Sequence, residues 1–448
     1  FFRQNKMDNV RKKNLLSPAK VIAVGFLAVI AAGTILLSLP VSHSGKCEVG
    51  FLDALFSTVS AVCVTGLITV DTGAAYSMFG QVVIALLLQI GGLGITSLGA
   101  GFVALLGGKL STRGNSIVRE ALNYPTYSGI RQMIRSVMVL DFSIEAIGAF
   151  LSFFVFVKDY PVKTAVWYSV FHSIAAFNNG GFDVLGRGDS VGMYTHNVWF
   201  NIVTCLLIVL GGLGFLVMRE LLGMLSAKLH GREVGKLSLH AKVVLMMTGI
   251  LVFGGALLIK LTEGSNISVM GAIFASVTSR TAGFATYPLG GFSNAGILVI
   301  CVLMVIGASP GSTGGGIKTT TAFVFVKRLV SVITGREARV FRRKIKDEAM
   351  SQAFIIVSLA VIWILLQTAV MSVFDPGIAL RDILFEQTSA FSTTGLSTGI
   401  TSTLSVPSKL ILIVTMYVGR LGPFTIATLW SAKKPSPVSR PEGDIPIG

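Results

Sequence analysis

The sequence predicts an all-α membrane protein of four pseudosymmetric helix, pore helix, helix repeats, eight spans and four re-entrant loops in total, around one central pore. Three observations carry that prediction. The 448 residues are 52% hydrophobic and 13% charged, with a mean hydropathy of +0.76, too little polar surface to coat a water-soluble globule. Four stretches, AVCVTGLITV from 61, AFNNGGFDVL from 176, TSRTAGFATY from 278 and AFSTTGLSTG from 390, align without a gap so that Gly66, Gly181, Gly283 and Gly395 coincide. A large apolar residue follows each glycine (Leu67, Phe182, Phe284, Leu396), and Phe56, Phe171, Ile273 and Phe385 stand ten positions before. The glycines are 115, 102 and 112 residues apart, the spacing of one unit repeated four times. Charge supplies the third observation. Segments 1–20, 108–131, 226–242, 327–348 and 431–448 hold 25 Lys/Arg against 8 Asp/Glu, whereas 42–77, 158–197, 260–295 and 375–408 hold 7 against 10. Positive charge marks cytoplasmic loops, so both termini are expected inside and all four glycine loops open outward.

Taken in order, residues 1–18 form a basic cytoplasmic segment; no small-residue cleavage site follows the first apolar run, so the first helix is expected to be retained. Repeat 1 covers 19–108, with an outer helix at 19–41 and an inner helix at 78–107; Val21 to Gly45 and Met78 to Gly108 contain no Asp, Glu, Lys or Arg. Repeat 2 covers 132–225 (helices 132–157 and 198–225) and repeat 3 covers 242–330 (242–261 and 295–330). Repeat 4 covers 352–430 (352–374 and 409–430), and a Pro-rich cytoplasmic tail fills 431–448. A spanning helix needs about 20 mostly apolar residues, and the run before each glycine is about half that, the length of a half-membrane helix. Irregular backbone at membrane depth survives only where protein buries it or where it lines water. Four equivalent loops meet that condition around one axis. Cys47, Cys63, Cys205 and Cys301 show neither paired nor metal-like spacing and are read as packing residues.

Glycine beside small hydroxyl residues permits backbone conformations closed to other residues, which can turn carbonyl oxygens toward an axis. Rings of carbonyls replace the hydration shell of a cation. The oxygens are assigned to Val64, Thr65 and Gly66, to Asn179, Gly180 and Gly181, to Thr281, Ala282 and Gly283, and to Thr393, Thr394 and Gly395, with the side chains packing outward. A pore helix whose C-terminal end points at such a site adds partial negative charge. The bland alternative is small-residue helix contact.

These residues resemble the Ktr/Trk/HKT superfamily of potassium transporters and channels, specifically the Ktr-type membrane subunit. The resemblance runs over essentially the whole chain and rests on the four single-glycine loops with FNNGGF, TSRTAGF, QIGGLG, GGGIKTT and GRLGP. It implies four helix, pore helix, helix units in one chain, usually paired as a homodimer with one pore per subunit. A serine at the first filter glycine accompanies sodium permeation in the superfamily; Gly66 here points to K+ as the transported ion. The family further implies dependence on Na+ in many members and a cytosolic ring of nucleotide-binding regulatory subunits.

The third inner helix reads VIGASPGSTGGGIKTTTAFVF from 305, where glycines and a proline oppose helix, while QIGGLGITSLGAG and VLGGLGFLVM keep an apolar pattern. Ala308, Ser309, Pro310, Gly311, Ser312, Thr313, Gly314, Gly315 and Gly316 are therefore read as a mobile barrier. The resemblance agrees, since the family carries an obstructing intramembrane loop here. A passive kink competes. A phosphate loop does not fit, because one residue too many separates Gly316 from Lys318. Lys318 and Arg420 lie within inner helices and Asp141 and Glu145 lie four apart on an outer helix, and intramembrane charges usually face the protein interior, paired. Arg420 is assigned to the gate with Lys318, although snorkelling remains open for Lys318 and Glu220. Arg280 is expected to brace its loop by donating to carbonyls; Asn178 and His172 are read as structural support.

A potassium uptake pathway is the leading function. An anion channel competes through Arg280, Lys318 and Arg420, and an alternating-access secondary transporter competes through broken helices, although all four repeats begin on the same side. No enzyme is expected, for no His/Cys/Asp cluster or Ser with a nearby base recurs at usable spacing. The net charge of +16 follows from topology and attraction to membrane lipid, so no nucleic acid is invoked. Arg339, Arg342 and Arg343, within the basic segment 327–348, are the expected dock for the regulatory subunit.

Overall fold

The computed structural model describes residues 18–94, 130–341 and 343–422. Helices α1 (Pro18–Leu37), α5 (Ile130–Phe156), the continuous run α9 (Leu239–Gly249) to α10 (Gly255–Glu263), and α14 (Asp347–Phe374) occupy the predicted outer positions. Within the third, Ile250–Gly254 is a π-helical turn. These four are the described helices long and apolar enough by themselves to cross a membrane. They leave Leu27 and Ile35, Phe142 and Phe150, Phe253 and Leu261, and Ile362 and Val373 exposed, apolar faces suited to lipid.

Short helices precede each aligned glycine: α2 (Phe51–Val62), α6 (Val162–Phe177), α11 (Val269–Thr278) and α15 (Leu380–Ser392). The helices after them are α4 (Met78–Leu93), α7 (Val198–Leu213), α12 (Asn294–Val305) and α16 (Val406–Leu421), with a single turn, α3 (Thr72–Ala75), before α4. Sequence sets where they start. Ser77, Asn197 and Ser293 accept from the backbone N–H three residues on, satisfying an otherwise orphaned donor at each helix start. The Ser405 N–H and hydroxyl instead donate to Asp375 at the end of α14, as those of Ser293 donate to Glu263 at the end of α10.

Packing closes the chain on itself. Each short helix lies on its own outer helix and also against the preceding inner helix: α6 on α4, α11 on α7, α15 on α12. Helix α16, the last, packs on α2, the first short helix, so the four units form a ring.

One expectation is corrected. The inner helices of units 1, 2 and 4 were expected to run unbroken, yet α4, α7 and α16 all stop at a glycine with left-handed φ: Gly94 (φ 78°, ψ 136°), Gly214 (89°, 140°) and Gly422 (86°, 137°). Helix α8 (Phe215–Leu229) leaves α7 at 107°. A methyl on Gly214 would lie 2.5 Å from the Pro310 carbonyl oxygen, so both the backbone angle and the close approach require glycine there. The continuations expected at 95–107 and 423–430, and the tail 431–448, lie outside the described residues, as does Arg342. The third inner element breaks where predicted and resumes as α13 (Thr319–Thr334), followed by a small hairpin, β1 (Arg339–Val340) paired antiparallel with β2 (Arg343–Lys344).

Candidate functional site

The four aligned loops share one backbone shape. Val64 (φ 56°), Asn179 (58°), Thr281 (74°) and Thr393 (52°) are left-handed, and so, two residues later, are Gly66 (95°), Gly181 (64°), Gly283 (87°) and Gly395 (90°). A left-handed residue other than glycine is uncommon, and four at one repeat position mark a constrained structure. Each short helix ends at its loop, so its last carbonyls face the same region.

The loops touch in cyclic order. A methyl built on Gly66 would lie 2.7 Å from the Gly180 carbonyl oxygen, and one on Gly181 would lie 2.7 Å from that of Ala282. On Gly283 it would strike the Thr394 carbonyl oxygen, with Gly395 Cα at 3.2 Å. On Gly395 it would strike the Thr65 carbonyl oxygen, with Gly66 Cα at 2.8 Å. Four glycines and the carbonyls of their predecessors thus encircle one axis, and a side chain at any of them would displace a neighbour's carbonyl.

Inner-helix glycines allow the short-helix ends to approach closely. The space a Cβ would take at Gly91, Gly211 and Gly419 is filled by the carbonyl oxygens of Val62, Phe177 and Phe391, each four residues before its ring glycine. Two hydroxyls clamp the loops from behind: Ser60 Oγ accepts from Gly66 N–H (3.0 Å) and Ser389 Oγ from Gly395 N–H (3.1 Å). Carboxylates hold the stretches beyond the ring. Thr69 donates to Asp53 (2.7 Å), and Ser397 and Thr401 donate to Glu386, which is fully buried. Sequence reasoning missed Ser60, Ser389, Asp53 and Glu386; polar residues on an otherwise apolar short helix were the available signal.

Residues 306–318 cross directly beneath the ring. The strand-like start and end pair in parallel (Ile306 with Ile317), bringing Gly307 and Gly316 together. The segment then touches three units at once. Ser309 N–H donates to Gly212 O (3.0 Å), the Thr313 hydroxyl lies 3.2 Å from both Phe177 O and Gly211 O, Gly314 abuts Thr281, and Gly315 abuts Thr393. Pro310 and Gly311 reach the Gly214 break, where Phe215 N–H donates to Gly311 O (2.9 Å). Arg420 ties in the remaining unit, donating through Nη1 to Thr313 O and through Nη2 to Gly91 O. Lys318 Nζ donates to Gly314 O (2.6 Å), Thr319 bonds Ser309 (3.0 Å), and the Ser312 hydroxyl donates to Ser309 O (2.6 Å). The structure therefore brings Ala308 to Gly316, Lys318 and Arg420 together with all four units, the first of them through Gly91 on α4.

Two finer expectations change. Side chains of the loops do not all pack outward: Thr281 and Thr393 face Gly314 and Gly315, Val64 faces Gly91 and Asn179 faces Gly212, because a left-handed φ turns the Cβ toward the chain below. Arg280 donates no hydrogen bond to a loop carbonyl among the described residues, and its Nε is buried without a partner. Lys318 turns back onto the broken segment, and Glu220 accepts from the Ser238 hydroxyl at the start of α9 (2.8 Å). His172 Nε2 lies 3.0 Å from the Thr204 hydroxyl, in keeping with structural support.

Long apolar helices with lipid-suited faces, wound round a ring of backbone carbonyls, define a multi-pass helical membrane protein. A family model described as TrkH, cation transport protein, matches residues 10–263 and 234–440. The chain is 36% identical over 432 residues to the potassium/sodium uptake protein NtpJ of Enterococcus hirae, covering 93% of each. It is 34% identical over 454 residues to the Ktr system potassium uptake protein B of Bacillus subtilis, covering 98% of this chain and 99% of the relative. Among solved structures, the potassium transporter TrkH of Vibrio parahaemolyticus superposes with a TM-score of 0.72 at 17% identity, covering 93% of this chain and 86% of that one. The chain belongs to the TrkH family of cation transport proteins.

Proposed function

We propose that this protein takes up potassium across the cell membrane through the glycine ring. Carbonyls of Val64 to Gly66, Asn179 to Gly181, Thr281 to Gly283 and Thr393 to Gly395 act as the selectivity filter. Residues 308–316, with Lys318 and Arg420, form a gate beneath it. The observation that carries the reading is the cyclic contact of the four loops, each ring glycine set against the carbonyl before the next. Carbonyl rings at the C-terminal ends of four helices favour a dehydrated cation over an anion. The names of the relatives from E. hirae and B. subtilis supply potassium, and sodium as a second candidate.

In this reading each inner helix, interrupted at a glycine or at the 306–318 segment, still counts as a span, which gives eight spans in units 19–108, 132–225, 242–330 and 352–430. The glycine loops are re-entrant, both termini are cytoplasmic, and the membrane is the plasma membrane. Two chains pair as a homodimer, and a cytosolic nucleotide-binding ring docks on 327–348. The Ktr system named for the B. subtilis relative supports such a partner. Purified protein in liposomes tests the ion: rubidium uptake that potassium competes away and chloride replacement leaves unchanged supports the proposal. Flux that follows the chloride gradient would refute it.

A further inference from the structure

Among the four residues three positions before a ring glycine (Cys63, Asn178, Arg280 and Ser392), Asn178 alone has a hydrogen-bonded side chain among the described residues. Its Nδ2 lies within hydrogen-bond distance of Gln89 Oε1 on α4 (3.0 Å), Glu145 Oε1 on α5 (2.8 Å) and the Ile174 carbonyl (3.0 Å). Gln89 Nε2 in turn donates to Asp141 Oδ2 (2.5 Å), one turn before Glu145 on α5. The Ser173 hydroxyl closes the same contact, donating to the Glu145 backbone carbonyl (2.7 Å). Asp141 and Asn178 are fully buried and Glu145 and Gln89 nearly so. On the side facing α4, Asn178 Oδ1 fills the space that a Cβ on Gly92 would need.

We infer that Asp141, Glu145 and Gln89 are positioning residues that act through Asn178 to hold the second glycine loop, and thereby help set which ion the ring prefers. The inference rests on the filter reading above. Asn178 caps α6, and the next residue, Asn179, already carries the left-handed φ that launches the loop. A shift of the loop away from the axis would pull Nδ2 from two neighbouring helices at once. Sites of this kind need supporting groups that hold them to within about 0.5 Å. A conventional buried ion pair does not explain the acids, because none of the ion pairs among the described residues includes either one. Donors are also scarce: two amides serve two carboxylates, and Asp141 Oδ1 has no partner. The arrangement works with neutral hydrogen bonding, so an amide in place of Glu145 preserves the acceptor that Asn178 uses.

Full-length protein in liposomes, with potassium and sodium uptake measured side by side, tests this. Glu145→Ala and Asn178→Ala should each lower potassium preference about fivefold, the effect of losing one buried hydrogen bond of about 1 kcal/mol from the preferred geometry. Glu145→Gln should restore most of it. Gln89→Met, close in shape and able to keep the fold, should fall between. A purely structural role would reduce yield and thermal stability while leaving the ratio unmoved. Gly66→Ser serves as the reference: if it shifts the ratio while Glu145→Ala, Asn178→Ala and Gln89→Met do not, the inference is overturned and the filter reading survives. If Gly66→Ser also leaves the ratio unchanged, the filter reading fails and takes this inference with it.

Discussion

Replacing Gly66 by serine perturbs the ring at one of its four corners. Gly66 has φ 95°, where an L-residue is strained by about 1–2 kcal/mol. Its new Cβ would lie 2.7 Å from the Gly180 carbonyl oxygen and 3.0 Å from Gly181 Cα, both backbone atoms that no side-chain rotation can move aside. Restoring ordinary contact needs a displacement of about 0.7 Å, more than the roughly 0.5 Å tolerance of a preorganised site. The carbonyl most affected belongs to the neighbouring loop, so two of the four units lose their coordinating geometry. If that removes about 1.4 kcal/mol of preference for potassium, selectivity over sodium falls about tenfold. Potassium and sodium uptake would be compared in a host lacking its own transport, at matched levels of inserted protein. An unchanged preference would refute the claim that Gly66 belongs to the ion-coordinating ring.

Deleting residues 311–316 should raise potassium flux severalfold without altering ion preference, because the ring and the segment beneath it are separate in sequence; a folded deletion variant that conducts no better would make the segment a structural kink. Arg420→Gln removes charge-assisted bonds to the Thr313 and Gly91 carbonyls, each worth about 1.5–3 kcal/mol, and should likewise raise basal flux, measured as rubidium uptake. Asp375→Ala leaves the start of α16 without its acceptor for Ser405 and should lower the thermal midpoint in detergent by several degrees, for a loss of about 1–3 kcal/mol. Neutralising Arg339, Arg342 and Arg343 together should abolish co-purification with a nucleotide-binding partner while membrane insertion stays normal; retained binding would leave these arginines as orientation signals.

The outer helices and the ring glycines were legible in the sequence because each has a strong local signature: a long apolar run, or a glycine held in register across four copies. Ala308 to Gly316 were legible for the opposite reason, as a segment whose glycines and proline resist helix. The break after α7 was not read, although GGLG at 211–214 held the signal, because its meaning depends on Pro310 and Gly311 arriving from a hundred residues away. The same holds for Arg420. Its charge announced an interior role, but which carbonyls it meets is decided by α16 closing against α2 and by the path of 306–318. Arg280 misled because a buried cation beside a loop suggests carbonyl partners that packing did not supply. Asn178 was read as support alone, and its links to Gln89 and Glu145 lie 89 and 33 residues away, visible only once α4, α5 and α6 meet.

In the proposed reading, potassium binds on the axis between Gly66, Gly181, Gly283 and Gly395. Anomalous diffraction from crystals grown with rubidium or thallium tests it most directly. Peaks are expected on that axis, within coordination distance of the Thr65, Gly180, Ala282 and Thr394 carbonyls, and should weaken when sodium replaces the heavier ion. Transport-competent protein whose anomalous peaks fall elsewhere, with none inside the ring, would contradict it.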